Sequence, residues 1–234
     1  MRILAIGAHP DDLVILCGGT LARYAATGHD VTMVDVTRGD RGSFVHSSEE
    51  IALIRGAESR AAAETIGATY RTLGLSDGDV FSQDRAQRTM IVDLVREARP
   101  DVILTHSPND YMADHNEVSR LVFDASFLAT LPLLETAIPA HDQVTPLFYL
   151  DTLGGLAFEP TEWVDISATI ERKLDMMRAH ASQLTWLREH DGIDIVEQVR
   201  TSAAYRGGQA GVAYAEAFRA SDAWLRVRTT RLLP

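Results

Sequence analysis

Apolar residues fall along this chain in two rhythms. Short runs at 3–8, 31–36, 69–73, 102–105 and 147–150 predict strands. Several are apolar at nearly every position, as strands covered on both faces are. Segments of helical spacing lie between them. Ser47 and Glu50 form a capping-box signature ahead of Ile51, Ile54, Ala62 and Ile66. Ile91, Leu94, Val95 and Ala98 repeat at helical spacing until Pro100 stops the helix, and Val118, Leu121, Val122, Ala125 and Leu128 do the same in the next segment. Such alternation predicts βαβ units, and right-handed crossovers then favour an α/β, Rossmann-like fold, a mainly parallel sheet sandwiched by helices. Past residue 155 the rhythm changes. Ile170, Leu174 and Met177 predict one more helix, started by Ser167, while 214–218 and 224–227 read as extended. The expectation is a single domain over 1–234, with a core at about 1–155 and a C-terminal cap at about 156–234.

Charge narrows the partners. The chain of 234 residues carries a formal net charge of −11. An acidic surface repels a phosphate backbone, so nucleic acid is not an expected partner. No run of 18 apolar residues occurs, so no membrane span is expected. The N-terminal apolar run is short and acidic residues follow it at once, which predicts no signal peptide and a cytoplasmic location. The lone Cys17 excludes an intrachain disulfide framework and a thiolate metal cluster.

If strand 3–8 and strand 102–105 are neighbours at the switch point of the sheet, the loops that follow them face each other there. The first reads His9-Pro10-Asp11-Asp12 and the second Asn109-Asp110-Tyr111-Met112-Ala113-Asp114-His115. A dinucleotide site would need a Gly-x-Gly-x-x-Gly turn in the first loop. Its carboxylates would instead repel a pyrophosphate, and together with an imidazole they suit a cation. His9, one of the paired aspartates and His115 would form a two-His, one-carboxylate site with positions open for water or substrate. The spare aspartate would stand beside that water as a base. Spacing does not say which aspartate binds metal. Asp11 or Asp12 as a cap of the helix near 18–26 is the competing reading.

The motif Ala8-His9-Pro10-Asp11-Asp12 with Gly18-Gly19-Thr20, paired with Asp114-His115, resembles the LmbE-like (PIG-L) N-acetylglucosaminyl deacetylase family. Supporting matches are Arg55 before Glu58, Lys173 with His180-x-Ser182-Gln183, and Arg206-Gly207 followed by 214–218. The resemblance implies zinc-dependent removal of an N-acyl group from a glucosamine-containing small molecule or glycoconjugate. It implies His9, Asp12 and His115 as metal ligands and Asp11 as general base, with Fe2+ as the alternative metal. It departs from the family's usual pattern at two positions. Leu13 stands where many members have glutamate, and Met112 where many have a histidine that donates to the oxyanion or the leaving amine. Met112 can do neither, but it could contact an acyl chain or an aromatic aglycone.

Substrate contacts are expected from Arg55, Asp110, Met112 and His180. The bland alternatives are an ion pair of Arg55 with Glu58 or Glu49, a turn cap by Asp110, and a favourable place for His180 at a helix end. Asp114 is expected behind the metal, orienting His115 or a turn. His106 reads as a hydrogen-bonded wall histidine. Two other functions compete: an amidase acting on another small-molecule conjugate, and a non-catalytic sugar-binding homologue. A homo-oligomer is compatible with the apolar stretch at 127–134.

Overall fold

A computed structural model of the protein describes residues 1–224. In chain order the elements are β1 (Arg2–Gly7), α1 (Asp12–Ala26), β2 (Asp30–Thr37), α2 (Ser48–Glu64), β3 (Thr69–Leu75), α3 (Arg85–Ala98), β4 (Val102–Thr105) and α4 (Ala113–Leu128). There follow β5 (Leu147–Leu150), β6 (Glu162–Asp165), α5 (Ile170–Ala179), α6 (Ala181–His190), α7 (Ile195–Ala210) and β7 (Ala215–Ala220). The sheet order is β3-β2-β1-β4-β5-β7-β6. The first five strands in that row are parallel, and β7 and β6 close the edge antiparallel. β1 and β4 are neighbours, with Ile6 opposite Thr105, so the sheet reverses its winding where the two motif-bearing loops emerge.

The solid apolar run of β1 has a simple cause. Ile3 and Ala5 point into a core under α1, α5 and α7, while Leu4 and Ile6 point into a second core under α3 and α4. Burial on both faces removes the need for alternation. The Ser47–Glu50 capping box starts α2 as expected.

The C-terminal third differs from its expected form as a cap. β6 and β7 join the main sheet, and three helices stand where one was expected. α7 escapes a periodicity reading because its stripe of Ile195, Val199, Ala203 and Gly207 recurs only every fourth residue. α5 begins after Thr169, not at Ser167. Of the extended stretch expected at 224–227, only Trp224 lies within the described residues.

One buried ion pair ties this third to the N-terminal motif. Glu216 on β7 accepts from the backbone N–H groups of Gly19 (2.8 Å) and Thr20 (2.7 Å), and from Lys173 Nζ of α5 (2.6 Å). Gly19 lets α1 lie against this layer: a Cβ there would meet Ile166 Cδ1 at 2.7 Å. Removing one partner strands the other charge in the core. Glu216→Ala is therefore expected to lose about 3–5 kcal/mol in urea unfolding, and Gly19→Ala about 1–3 kcal/mol.

Candidate active site at the carboxyl edge of the sheet

β1 ends at Gly7 and α1 starts at Asp12, so four residues make the turn between strand and helix. Asp11 sits in it with φ 103° and ψ −28°. That region favours glycine, and a side chain held there costs of order 1–3 kcal/mol. A buried carboxylate kept in a strained turn marks a place where the carboxylate is needed. Its side chain makes no cap hydrogen bond, and Asp12 turns back to accept from His9 N–H at 2.7 Å. The helix-cap reading of these aspartates is thus not what the side chains do.

Asp12 is the focus of the site. Its Oδ2 lies 3.4 Å from His9 Nδ1, 3.2 Å from His106 Nε2 and 3.3 Å from His115 Nε2. Burial alone would raise its pKa, but the imidazoles of His115 and His106 hold it well below the usual range. Behind His9, Asp114 Oδ2 lies 2.9 Å from Nε2, and behind His115, Asp110 Oδ2 lies 3.1 Å from Nδ1. Burial disfavours charge on both histidines, yet these carboxylates outweigh it and push His9 up to about 11 and His115 to about 9. The cluster therefore calls for positive charge at its centre. α1 and α4 also present their N-termini here, with Asp12 and Asp114 in their first turns.

Two triads bring ligand atoms within 4.8 Å of one another: His9, Asp12 and His115, and His106, Asp110 and His115. The first fits a metal better. His106 Nε2 already accepts the Ala8 N–H at 2.9 Å, so its lone pair is spent. His9 Nδ1 and His115 Nε2 face Asp12, and each ring has a carboxylate behind its other nitrogen. That second support fixes the tautomer that ligates a metal. Two nitrogens and an oxygen form a borderline donor set, open on the solvent side.

His106 is the wall histidine expected. It is fully buried, stacks on His115 at 3.9 Å, and burial with His115 beside it lowers it to about 4. Asp110 is not a free substrate contact: besides facing His115, it accepts from Met112 N–H at 3.0 Å. Asp114 accepts from Gly78 N–H at 2.7 Å and faces His9, so the carboxylate against His115 is Asp110's. Arg55 is buried, and its guanidinium donates to the carbonyls of Gly39 (3.0 Å) and Gly42 (2.9 Å). Its expected partners are engaged elsewhere, Glu58 with Ser182 and Glu49 near Arg38. Asp11 feels this cation. Burial, with Asp12 beside it, pushes the Asp11 carboxyl well up, while Arg55 and His9 pull the other way.

These groups open onto a cavity of about 1040 Å³ lined by Asp11, Asp12, Arg55, Met112 and Gln183. His180 is not in the lining. It is buried between α5 and α6, with neither ring nitrogen hydrogen-bonded, and burial and Arg55 lower it to about 4. Trp186 lines the cavity, whereas Trp163 sits half-exposed on β6. Sequence reasoning missed the far walls, Asp151, Leu153, Ile195 and Val199, because no local pattern marks them.

A sequence model of the family described as PIG-L: GlcNAc-PI de-N-acetylase matches residues 4–126. The chain is 31% identical to a diacetylchitobiose deacetylase of Thermococcus kodakarensis, over 93% of this chain and 82% of that one. The N,N'-diacetylchitobiose deacetylase of Pyrococcus horikoshii, solved with an inhibitor, superposes with a TM-score of 0.83 at 27% identity, covering 94% of this chain and 83% of that one. A 4-carboxy-2-hydroxymuconate hydratase of Pseudomonas putida superposes at 0.85 over 100% of both chains; at 23% identity it shares the fold alone. Among the described residues, no helix is long and apolar enough to cross a membrane.

Two measurements check the electrostatics. Asp114→Asn removes the carboxylate behind His9 and is expected to weaken metal retention against a chelator by about 10–100-fold. Asp35, buried under Ser59 Oγ (2.8 Å), is pushed up to about 7 by burial. Its folded pKa lies above its unfolded value, so the stability it contributes is present below about 4 and lost as pH rises to about 7. Asp35→Asn should gain stability relative to wild type across that window, read from urea midpoints.

Proposed function

This chain belongs to the PIG-L family, and we propose that it is a metal-dependent hydrolase that removes an N-acyl group from a glucosamine-containing small molecule or glycoconjugate. One observation carries the reading: the strained, buried carboxylate of Asp11 beside the triad of His9, Asp12 and His115. A base held next to a metal site serves hydrolysis, and a sugar-binding module has no use for it. The relatives named deacetylases supply the amide and the amino sugar.

We assign zinc to the triad, with Fe2+ as the alternative for the same donors. When bound, the metal would polarise the amide carbonyl and acidify water. Asp11 then takes the proton of the attacking water on its carboxylate, and burial, which raises its proton affinity, suits it to that task. The same proton is available for the leaving amine nitrogen. That role falls to Asp11 because Met112 has no proton to give. Arg55 lines the cavity as a fixed cation, and we assign it to the sugar side of the substrate. His180 backs Arg55 from behind the lining. The substrate is a small molecule of the cytoplasm.

Elemental analysis should find about one metal ion per chain, lost in His115→Ala. Asp11→Asn should keep the metal and lose amine release from N-acetylglucosamine compounds by about 10²–10⁴-fold. Undiminished turnover in Asp11→Asn would remove it from this role.

A further inference from the structure

Resting on the deacylase reading, we propose that the cavity carries an apolar acyl subsite, and that the preferred substrate bears an N-acyl group much larger than acetyl, aliphatic or aromatic.

The lining of the cavity combines two chemistries. Around the metal triad the lining is charged, with Asp11, Asp12 and Arg55. Much of the remaining lining is apolar: Ile15, Leu16, Leu187, Ile193, Ile195 and Val199. Four of the charged residues in the lining are spent on one another, Arg206 on Asp151 (2.6 Å) and Lys173 on Glu216 (2.6 Å). Those apolar side chains offer nothing to sugar hydroxyls, which would lose their water against them without replacement. They reward apolar surface.

The rim repeats the pattern. Tyr111 (71% exposed), Leu156 (71%) and Tyr205 (61%) all border the cavity, and Phe44 (75%) lies 4.7 Å from the ring of Trp186, which lines it. Large apolar side chains left in water and gathered around one opening mark a binding site for apolar groups. The volume of about 1040 Å³ is at the top of the ~300–1,000 Å³ range of drug-sized ligand sites. That is far more than an acetylated monosaccharide needs.

Helix geometry assigns the apolar residues nearest the metal triad to the acyl group rather than to an aglycone. Ile15 and Leu16 follow Asp12 by three and four residues on α1, so they lie on its face one turn away. The apolar wall begins about 5 Å from a metal ligand. An acyl chain starts at the scissile carbonyl and meets that wall at once. An aglycone is set off by the width of the sugar ring. Met112, with no polar hydrogen, adjoins the metal triad at the start of α4 and extends the same surface.

The test uses metal-loaded protein and measures released amine from N-acetylglucosamine, N-octanoylglucosamine and the octyl glycoside of N-acetylglucosamine. N-octanoylglucosamine should exceed N-acetylglucosamine in kcat/KM by at least about tenfold. Leu187→Gln and Ile193→Gln should each cut that ratio several-fold, with metal content checked in both. Equal rates for the two acyl lengths, or a gain only from the octyl glycoside, would overturn the acyl subsite and leave the deacylase reading intact. No amine from any of the three would overturn both.

Discussion

A single buried carboxylate organises the carboxyl edge of this sheet. Asp12 lies out of water with three imidazoles within 3.4 Å of one oxygen. A buried charge must be compensated, and the compensation spreads outward in order. The imidazoles facing Asp12 need partners on their far nitrogens, and two find Asp114 and Asp110. Those carboxylates in turn take backbone N–H groups from Gly78 and Met112. Loops at the ends of β1, β3 and β4 are thus held together by one chain of polar demand. The same arrangement gathers imidazole and carboxylate donors at one centre, a set that suits a cation.

The fold supplies what that chain of contacts requires. β1 and β4 are adjacent, so His9 and His115 can face one oxygen although they lie far apart in sequence. The N-termini of α1 and α4 meet there and lower the cost of collecting acids. Strain at Asp11 is tolerated because the helix on one side and the strand on the other over-determine the turn. Further down α1, Glu216 and Lys173 fasten the last strand and a C-terminal helix to the glycine pair. The layer that walls the cavity is therefore anchored to the helix that begins at Asp12.

This coupling gives the cavity its mixed lining. α1 contributes both chemistry and apolar wall, one helical turn apart. The rest of the lining comes largely from α6, α7 and the loop after β5. A substrate bound there would have its polar and apolar parts sorted before the amide reaches the site. Binding of remote groups then serves orientation at the reacting carbon.

Much of this was legible in the sequence where the cause is local. β1 reads as a strand because both of its faces are buried, α2 reads as a helix because Ser47 and Glu50 cap it, and the His9–Asp12 loop is informative because a dinucleotide turn could not have that composition. The adjacency of β1 and β4 followed from the handedness of crossovers. Partner choice did not follow. Asp114 lies against His9, 105 residues away in the chain, and Asp110 takes the place beside His115. Arg55 spends its guanidinium on carbonyls while Glu58 is drawn to Ser182, 124 residues away. α6 and α7 were hidden because a helix half-buried against a cavity needs only a thin apolar stripe. The sequence by itself determined the parallel core and the two loops that converge at its carboxyl edge, since periodicity and turn chemistry act between near neighbours. Only the tertiary structure decided which carboxylate serves which histidine and what walls the substrate, since those contacts depend on how distant segments pack.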